Sequence, residues 1–212
     1  MKRLSQTERV DLSDSRMTQT AIRLIVELGI GGTKLTEVGM QSGYSRGLAA
    51  MRFGTKAGLL RRVARYVLSG WVSRVSLATT GKLGLPAVFA AIDAQSRWIA
   101  EEPDQVRALY LIFFHSIDPN AEYHLNVGSA LVAQRHDLAR WLAEARVRGE
   151  IVADSDDNIE AAQILSSMLG FVYQSLMDKD LPLERLHVKL KQDLQLRLSL
   201  VADTRSQAIV SC

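Results

Sequence analysis

The sequence predicts an all-α chain, and three observations lead to that fold class. Apolar residues recur at spacings of three and four over several long stretches, which is the period of an amphipathic helix. Only 4 prolines occur in 212 residues, and no long run alternates apolar with polar residues as a half-buried strand does. The pattern indicates an N-terminal three-helix helix-turn-helix domain that a long helix joins to a second helical domain.

The N-terminal segment holds an arm and the first helix. Residues 1–14 are polar and mixed in charge, so we expect a flexible arm there. A helix is predicted to start near Ser15 and to end at Gly29. Its apolar stripe comprises Met17, Ala21, Leu24, Ile25 and Leu28. The helix-turn-helix domain is predicted over residues 15–67.

Three more helices start at short intervals after the first. A second helix is expected over residues 35–42, and Gly43 then provides the positive φ that a tight turn needs. Ser45 is placed to cap a third helix that ends near Phe53. Thr55 is placed to cap a long fourth helix that begins near Lys56. Short helices of this spacing followed by a long one are typical of a helix-turn-helix domain.

Residues 68–212 are predicted to form the second helical domain. Helices are expected at residues 86–101, 104–117, 128–148, 158–177 and 183–202, separated by segments that contain Pro, Gly and Asp. Residues 150–153 are the one stretch that we consider a candidate strand.

Composition argues against several functional classes. The single cysteine, Cys212, cannot form an internal disulfide, and no His/Cys cluster has zinc-ligand spacing. No signal-peptide apolar region follows Met1, and the apolar stretches are too short to span a bilayer. No carboxylate pair, nucleophile–base set or phosphate-binding loop has coherent spacing. We therefore expect a cytoplasmic protein that is not an enzyme and holds no metal or cofactor.

Charge is distributed unevenly along the chain. Residues 1–70 carry 12 Lys and Arg against 5 Asp and Glu, whereas residues 71–212 carry 14 against 18. Positive charge confined to one end is an electrostatic footprint for a polyanion, although a solvated basic face is the common alternative. The third helix would present Ser45, Arg46, Gly47, Leu48, Met51 and Arg52 to a DNA groove.

Individual side chains have expected roles in that interface. Arg46 can donate two hydrogen bonds to guanine, and Lys56 near the start of the fourth helix can hold a phosphate. Leu48 and Met51 could contact thymine methyl groups or pack inside the protein, and the sequence leaves both readings open. Phe53 is expected in the core.

The stretch over residues 33–60 resembles the TetR family of bacterial transcription regulators, and the resemblance extends over about residues 15–67. The matching positions are Thr33, Val38-Gly39, Ser42-Gly43-Tyr44-Ser45, Gly47, Phe53, Lys56 and Leu59. The resemblance adds Thr33 to the expected DNA contacts. Ala50 stands where the family usually has a phosphate-contacting tyrosine, and either Arg52 or Tyr44 could take its place.

For the second domain, the resemblance implies a small-molecule effector and a homodimer. The family's usual outcome is a repressor that the effector releases from double-stranded operator DNA, and activation is the alternative. Small residues at Ala162, Ser166 and Gly170, with Leu169 and Tyr173 beside them, fit close approach of a partner helix. Leu186, Leu190 and Leu194 form a stripe that faces either the partner or the core of its own domain. The candidate effector contacts are Trp98, Tyr110, Phe114, His115, Trp141 and Met168.

Two other functional classes remain open from the sequence. One is a small-molecule enzyme built in a helical bundle, which a coherent acid–base pair or turnover of a bound compound would support. The other is a helical scaffold or small-molecule-binding protein that no longer reads DNA, and the alanine at position 50 favours it.

Overall fold

The computed structural model describes residues 5–119, 127–152 and 155–199 of the chain. The helices in these residues are α1 (Gln6–Gly32), α2 (Leu35–Gln41), α3 (Arg46–Phe53), α4 (Lys56–Thr79), α5 (Leu85–Glu101), α6 (Pro103–Ile117), α7 (Val127–Val147), α8 (Asp157–Met177) and α9 (Leu183–Ser199). No strand occurs among the described residues, which confirms the all-α prediction. Residues 150–152, part of the candidate strand, are not extended into a sheet, and residue 153 lies outside the described residues.

The chain divides into two compact units. Unit 1 comprises Met1–Trp71 and Glu102–Leu125, and unit 2 comprises Val72–Glu101 and Asn126–Cys212. The sequence assigned α6 to the second domain, whereas α6 packs against α1 within unit 1. A functional division near residue 67 stays a prediction.

Helix α1 begins earlier than the sequence pattern led us to expect. Ser5 and Glu8 form a capping box: the Glu8 backbone N–H donates to Ser5 Oγ over 3.2 Å, and the Ser5 N–H donates to Glu8 Oε2 over 2.7 Å. Both exchanges satisfy backbone donors that the first helical turn leaves without partners. The expectation of a flexible arm is therefore wrong for residues 6–14, which are helical.

The apolar stripe of α1 forms much of the core of unit 1. Met17, Ala21, Leu24 and Ile25 are all buried, as their spacing predicts. Leu28, the last predicted member of the stripe, is 53% exposed. Directly after it, Gly29 has a φ of +70° and interrupts the helix.

Unit 2 is a packed set of four helices. Helix α5 contacts α7, α8 and α9, while α8 packs against both α7 and α9. Its core is filled by apolar side chains of all four helices, among them Ile92, Leu142, Ile164 and Leu198. Within the described ranges, no helix is long and apolar enough to cross a membrane.

A histidine lies inside this set where α9 meets α5. His187 is 1% exposed, with Nδ1 at 2.8 Å from the Leu183 carbonyl oxygen and Nε2 at 3.1 Å from Oε1 of Gln95. The Phe171 ring of α8 meets the imidazole edge-on, with centroids 5.3 Å apart. Burial lowers the pKa of His187, and this effect prevails over the Leu183 hydrogen bond and the Asp93 carboxylate, which raise it.

We expect the free energy of unfolding to decrease as the pH falls through about 6.5, the ordinary pKa of histidine. The unfolded chain takes up a proton there that the folded chain, with its lowered pKa at His187, does not. One such group contributes a slope of at most about 1.4 kcal/mol per pH unit. Lys191, paired with Asp93 beside the ring, further disfavours the charged imidazole.

Urea denaturation at pH values on both sides of 6.5 measures this effect, with His187→Gln expected to flatten the pH dependence. His136, exposed on α7, provides the matched control, because His136→Gln leaves the α5–α9 contact intact. An unchanged slope in the His187→Gln protein would contradict the assignment.

Candidate nucleic-acid interface

The turn between α2 and α3 has the geometry that its glycine predicts. Gly43 adopts φ +85°, a conformation that side chains with a Cβ rarely take. The chain then reverses, with the Tyr44 N–H donating to the Gly39 carbonyl over 2.9 Å and the Ser42 N–H donating to the Val38 carbonyl over 3.1 Å. Val38 is fully buried, so α2 is anchored to the core while α3 is held directly after it.

Gly39 explains how closely α3 approaches α2. A Cβ at this position would lie 2.6 Å from the Ser45 carbonyl oxygen, which is inside van der Waals contact. Helix propensity by itself disfavours a glycine inside a helix, so the close contact supplies the reason for Gly39. Gly58 is similar in α4, since a Cβ there would lie 2.0 Å from the Phe53 carbonyl oxygen. Both glycines therefore have a packing reason in this chain.

One face of α3 is open to solvent. Arg46, Gly47, Ala50 and Met51 are exposed, and Met51 is 71% exposed, whereas Ala49 on the opposite face is fully buried. Because residues three and four positions apart share a helix face, these four residues form one surface, which we call the α3 face. A Cβ at Gly47 would meet no atom of the described chain within 4 Å, so internal packing does not require this glycine.

The remaining predicted residues of α3 lie beside this face. Ser45 is exposed at the N-cap, and Arg46 directs its Nε to Met40 Sδ at 3.1 Å. Tyr44 and Leu48 are both half-buried. Phe53, expected in the core, is only partly buried at the end of α3. Of the two apolar candidates for base contact, Met51 is therefore the accessible one.

Thr33 is not placed to contact DNA, so this prediction is wrong. Its side chain is buried, with the residue 1% exposed, and its Oγ1 donates to the Gly29 carbonyl over 2.9 Å. Its backbone N–H donates to the Ile30 carbonyl over 3.3 Å. Thr33 thus satisfies carbonyls that the end of α1 leaves without partners. Gly31 and Gly32 predict this helix end from the sequence. They do not predict that the Thr33 side chain points into the protein.

Two residues that are predicted to contact DNA phosphates, Arg52 and Lys56, contact α1 in the folded chain. Arg52 Nε lies 3.6 Å from Oδ1 of Asp14, and Lys56 Nζ donates to the Gly31 carbonyl over 3.0 Å. Lys56 has further ammonium hydrogens to offer, so a phosphate role for it stays a prediction. The Arg52 contact is an ion pair with a carboxylate, so it opposes the charge of Arg52 directly.

The candidate effector residues fall into two sets. Trp98, Trp141 and Met168 are buried in unit 2. In unit 1, α6 carries Tyr110, which is buried, and Phe114, which is 48% exposed and lies edge-on to it with ring centroids 6.1 Å apart. His115, half-buried, is on the same helix.

Unit 2 also has an open cleft of about 170 Å³ that contains none of the predicted residues. It is lined by Arg74, Leu77, Ala78, Ala94, Arg97 and Glu101. Arg74 Nη1 donates to Glu101 Oε2 over 2.6 Å across the cleft.

The candidate dimer residues of α8 lie away from the core of unit 2. Ser166 and Tyr173 are exposed and Ala162, Leu169 and Gly170 are half-buried, while Ile164, Leu165 and Met168 face inward. A Cβ at Gly170 would meet no atom of the described chain within 4 Å. The described part of the chain therefore leaves the space beside Gly170 unused.

The dimer interface predicted from the leucine stripe of α9 requires a correction at Leu194. Leu194 is 1% exposed and belongs to the core of unit 2, so it is not available to a partner. Leu186 and Leu190 are half-buried. The apolar side chains of α9 that do reach solvent are Val188 at 44% and Leu196 at 58% exposed. The leucine period identified the inward face of the helix rather than its outward face.

No protein-family model matches the chain, and no curated protein matches it significantly. Solved structures do match. SmeT, the repressor of the multidrug efflux pump SmeDEF of Stenotrophomonas maltophilia, has a TM-score of 0.69 at 19% identity, covering 87% of this chain and 88% of SmeT. The match extends to a SmeT–triclosan complex, with a TM-score of 0.68 at 20% identity, covering 88% of this chain and 90% of that one.

Two further structures extend the comparison. The fatty acid degradation regulator FadR of Bacillus halodurans has a TM-score of 0.73 at 14% identity over 92% of this chain and 97% of FadR. A regulatory protein of the TetR family from Rhodococcus RHA1 has a TM-score of 0.70 at 13% identity over 88% and 97%. The chain therefore has the TetR-type fold, which the resemblance of residues 33–60 predicted.

Proposed function

We propose that the chain is a sequence-specific, DNA-binding transcription regulator that uses α3 as its recognition helix. The observation that carries the proposal is the α3 face: an arginine, a glycine and an exposed methionine on the helix that directly follows a glycine turn. A short helix in that position reaches base edges with its first residues. The excess positive charge of residues 1–70 supports the same partner.

Three residues of the α3 face each suit a particular contact. The exposed guanidinium of Arg46 offers paired donors that match O6 and N7 of guanine. Gly47 leaves room for a sugar–phosphate backbone at a point that the described residues do not fill. The exposed side chain of Met51 is long and apolar, so it fits a thymine methyl group.

The second part of the proposal concerns unit 2. We infer that a homodimer forms through the outer surfaces of α8 and α9, because reading a two-fold operator requires two recognition helices. We also infer that a small-molecule effector shifts the dimer away from its DNA-binding conformer and thereby relieves repression. SmeT with triclosan is a precedent for a small molecule bound to this fold. If an effector and the operator bound without changing each other's affinity, this coupling would be disproved.

DNA binding can be tested with a duplex that the wild-type protein selects from a random library. We expect Arg46→Ala to weaken binding to the selected duplex by about 1–3 kcal/mol per recognition helix and to leave binding to a random duplex nearly unchanged. Lys56→Ala should weaken both by a similar factor and reduce the salt dependence by about one phosphate contact. Fluorescence anisotropy over a range of salt concentrations measures both quantities.

Arg135→Ala, at an exposed arginine of α7, is the control for the removal of positive charge. Equal reductions in affinity on both duplexes for Arg46→Ala would reject its role in base reading. If the wild-type protein selects no duplex at all, the proposed DNA-binding function is wrong. The alternative is then a helical scaffold, which the exposed alanine at position 50 favours.

A further inference from the structure

Asp14 of α1 forms ion pairs with one arginine of the recognition helix α3 and one of α4. Its Oδ1 lies 3.6 Å from Nε of Arg52 on α3, and its Oδ2 accepts a hydrogen bond from Nη2 of Arg62 on α4 over 3.5 Å. The Asp14 side chain is 19% exposed and that of Arg52 is 28% exposed. One carboxylate therefore faces two guanidinium groups at a site that is partly shielded from water.

The buried negative charge of the Asp14 carboxylate requires compensation by these two guanidinium groups. Oδ1 of Asp14 is buried and accepts no hydrogen bond from the described residues. A carboxylate oxygen that is withdrawn from water without a hydrogen bond is costly unless a positive charge compensates it. Arg52 is the cation nearest to this oxygen, so the electrostatic free energy favours the conformation in which Arg52 points to α1.

Arg52 has a second potential partner. It follows Met51 directly near the end of α3, and its long, positively charged side chain makes it a candidate to bind a DNA phosphate. A guanidinium cannot serve the Asp14 carboxylate and a phosphate with full strength at once. When Asp14 holds Arg52 more firmly, the interface neutralises fewer phosphates. Phosphate contacts raise the affinity for DNA of any sequence, so fewer of them lower the affinity without sequence preference.

We propose that Asp14 is a specificity-determining residue: it holds Arg52 against α1 and so limits the affinity of the interface for DNA of any sequence. Binding then depends more on the base contacts of the α3 face. This inference rests on the proposed DNA-binding function. It assigns to Asp14 a positioning role, since Asp14 acts through Arg52 and does not itself contact DNA.

The test compares Asp14→Asn with Asp11→Asn, a matched control that removes the same charge from an exposed position one turn earlier on α1. Binding to a random duplex is measured by fluorescence anisotropy over a range of salt concentrations. For Asp14→Asn we expect several-fold tighter binding than for Asp11→Asn, and a plot of log K against log salt that is steeper by about 0.9 for each arginine released. Adding Arg52→Ala to Asp14→Asn should remove most of this gain.

Two outcomes would overturn the proposal. The first is equal salt dependence for Asp14→Asn and Asp11→Asn, and the second is a gain that persists when Arg52→Ala is added. If wild type binds DNA and either outcome occurs, only this inference fails. If wild type binds neither random nor selected duplex, the proposed function fails as well.

A measurement without DNA tests the ion pair itself. In urea denaturation, the effects of Asp14→Asn and Arg52→Ala on the unfolding midpoint should not add in the double variant, because each removes the same contact. Additive effects would overturn the proposal whether or not the chain binds DNA.

Discussion

Gly170→Leu is expected to convert the dimer that we propose into monomers that remain folded. A Cβ at Gly170 meets no atom of the described chain within 4 Å, so a side chain can start there without a clash. Leucine is also a better helix former than glycine, so α8 itself is not weakened. Between two chains the leucine fills space that the small residues leave for the partner helix.

The expected size of this effect follows from the two-fold symmetry of the interface. Overpacking costs about 1–3 kcal/mol at each site, and a symmetric interface contains the substitution twice. We therefore expect the dimer dissociation constant to rise at least about 30-fold, since about 2 kcal/mol corresponds to that factor. Sedimentation velocity measures the dissociation, and anisotropy measures the accompanying decrease in affinity for the selected duplex.

Ala143→Leu is the control for the Gly170→Leu protein. It adds the same apolar side chain at an exposed position of α7, a helix that we do not assign to the interface. A Gly170→Leu protein that stays dimeric would show that the chains associate through another surface.

Leu194→Ala is expected to reduce the free energy of unfolding by about 2–5 kcal/mol, because it leaves a cavity in the core of unit 2. Leu194 is 1% exposed in the single chain, so its packing does not depend on a partner. The dimer dissociation constant should change much less than for Gly170→Leu.

Leu196→Ala, two residues later and 58% exposed, is the matched control for the Leu194→Ala protein. We expect a small effect on the unfolding of the chain and a larger one on dimer dissociation. Urea denaturation at several protein concentrations separates the two quantities. The reverse pattern, with Leu194→Ala acting on dissociation and Leu196→Ala on unfolding, would restore the interface that the leucine stripe suggested.

Local sequence patterns predicted much of the helix-turn-helix unit correctly. The positive φ of Gly43, the ends of α3 at Ser45 and Phe53 and the buried stripe of α1 follow from turn chemistry and helical period. These features depend on residues that are neighbours along the chain, so a sequence contains their cause. The start of α1 is also encoded locally, in the capping box of Ser5 and Glu8, where a serine precedes a glutamate by three positions.

The direction of individual side chains was less predictable. Thr33 belongs to a motif associated with DNA contact, yet its hydroxyl serves the end of α1. Arg52 has the residue type of a phosphate contact, yet a carboxylate 38 positions earlier holds it. In both cases a partner from α1 decides what the side chain does. A motif specifies which residue types are present, but not what lies opposite them in the folded chain.

The sequence by itself determined the all-α class, the helix–turn–helix order and the positive charge of the N-terminal part, because period, turn residues and charge are properties of the chain before it folds. The tertiary structure decided which faces of α8 and α9 are outward, that α6 packs on α1, and that Gly39 must be small. It also decided that Asp14 meets Arg52. These facts depend on packing between distant segments, and close packing in a protein interior is set by all the neighbouring helices together.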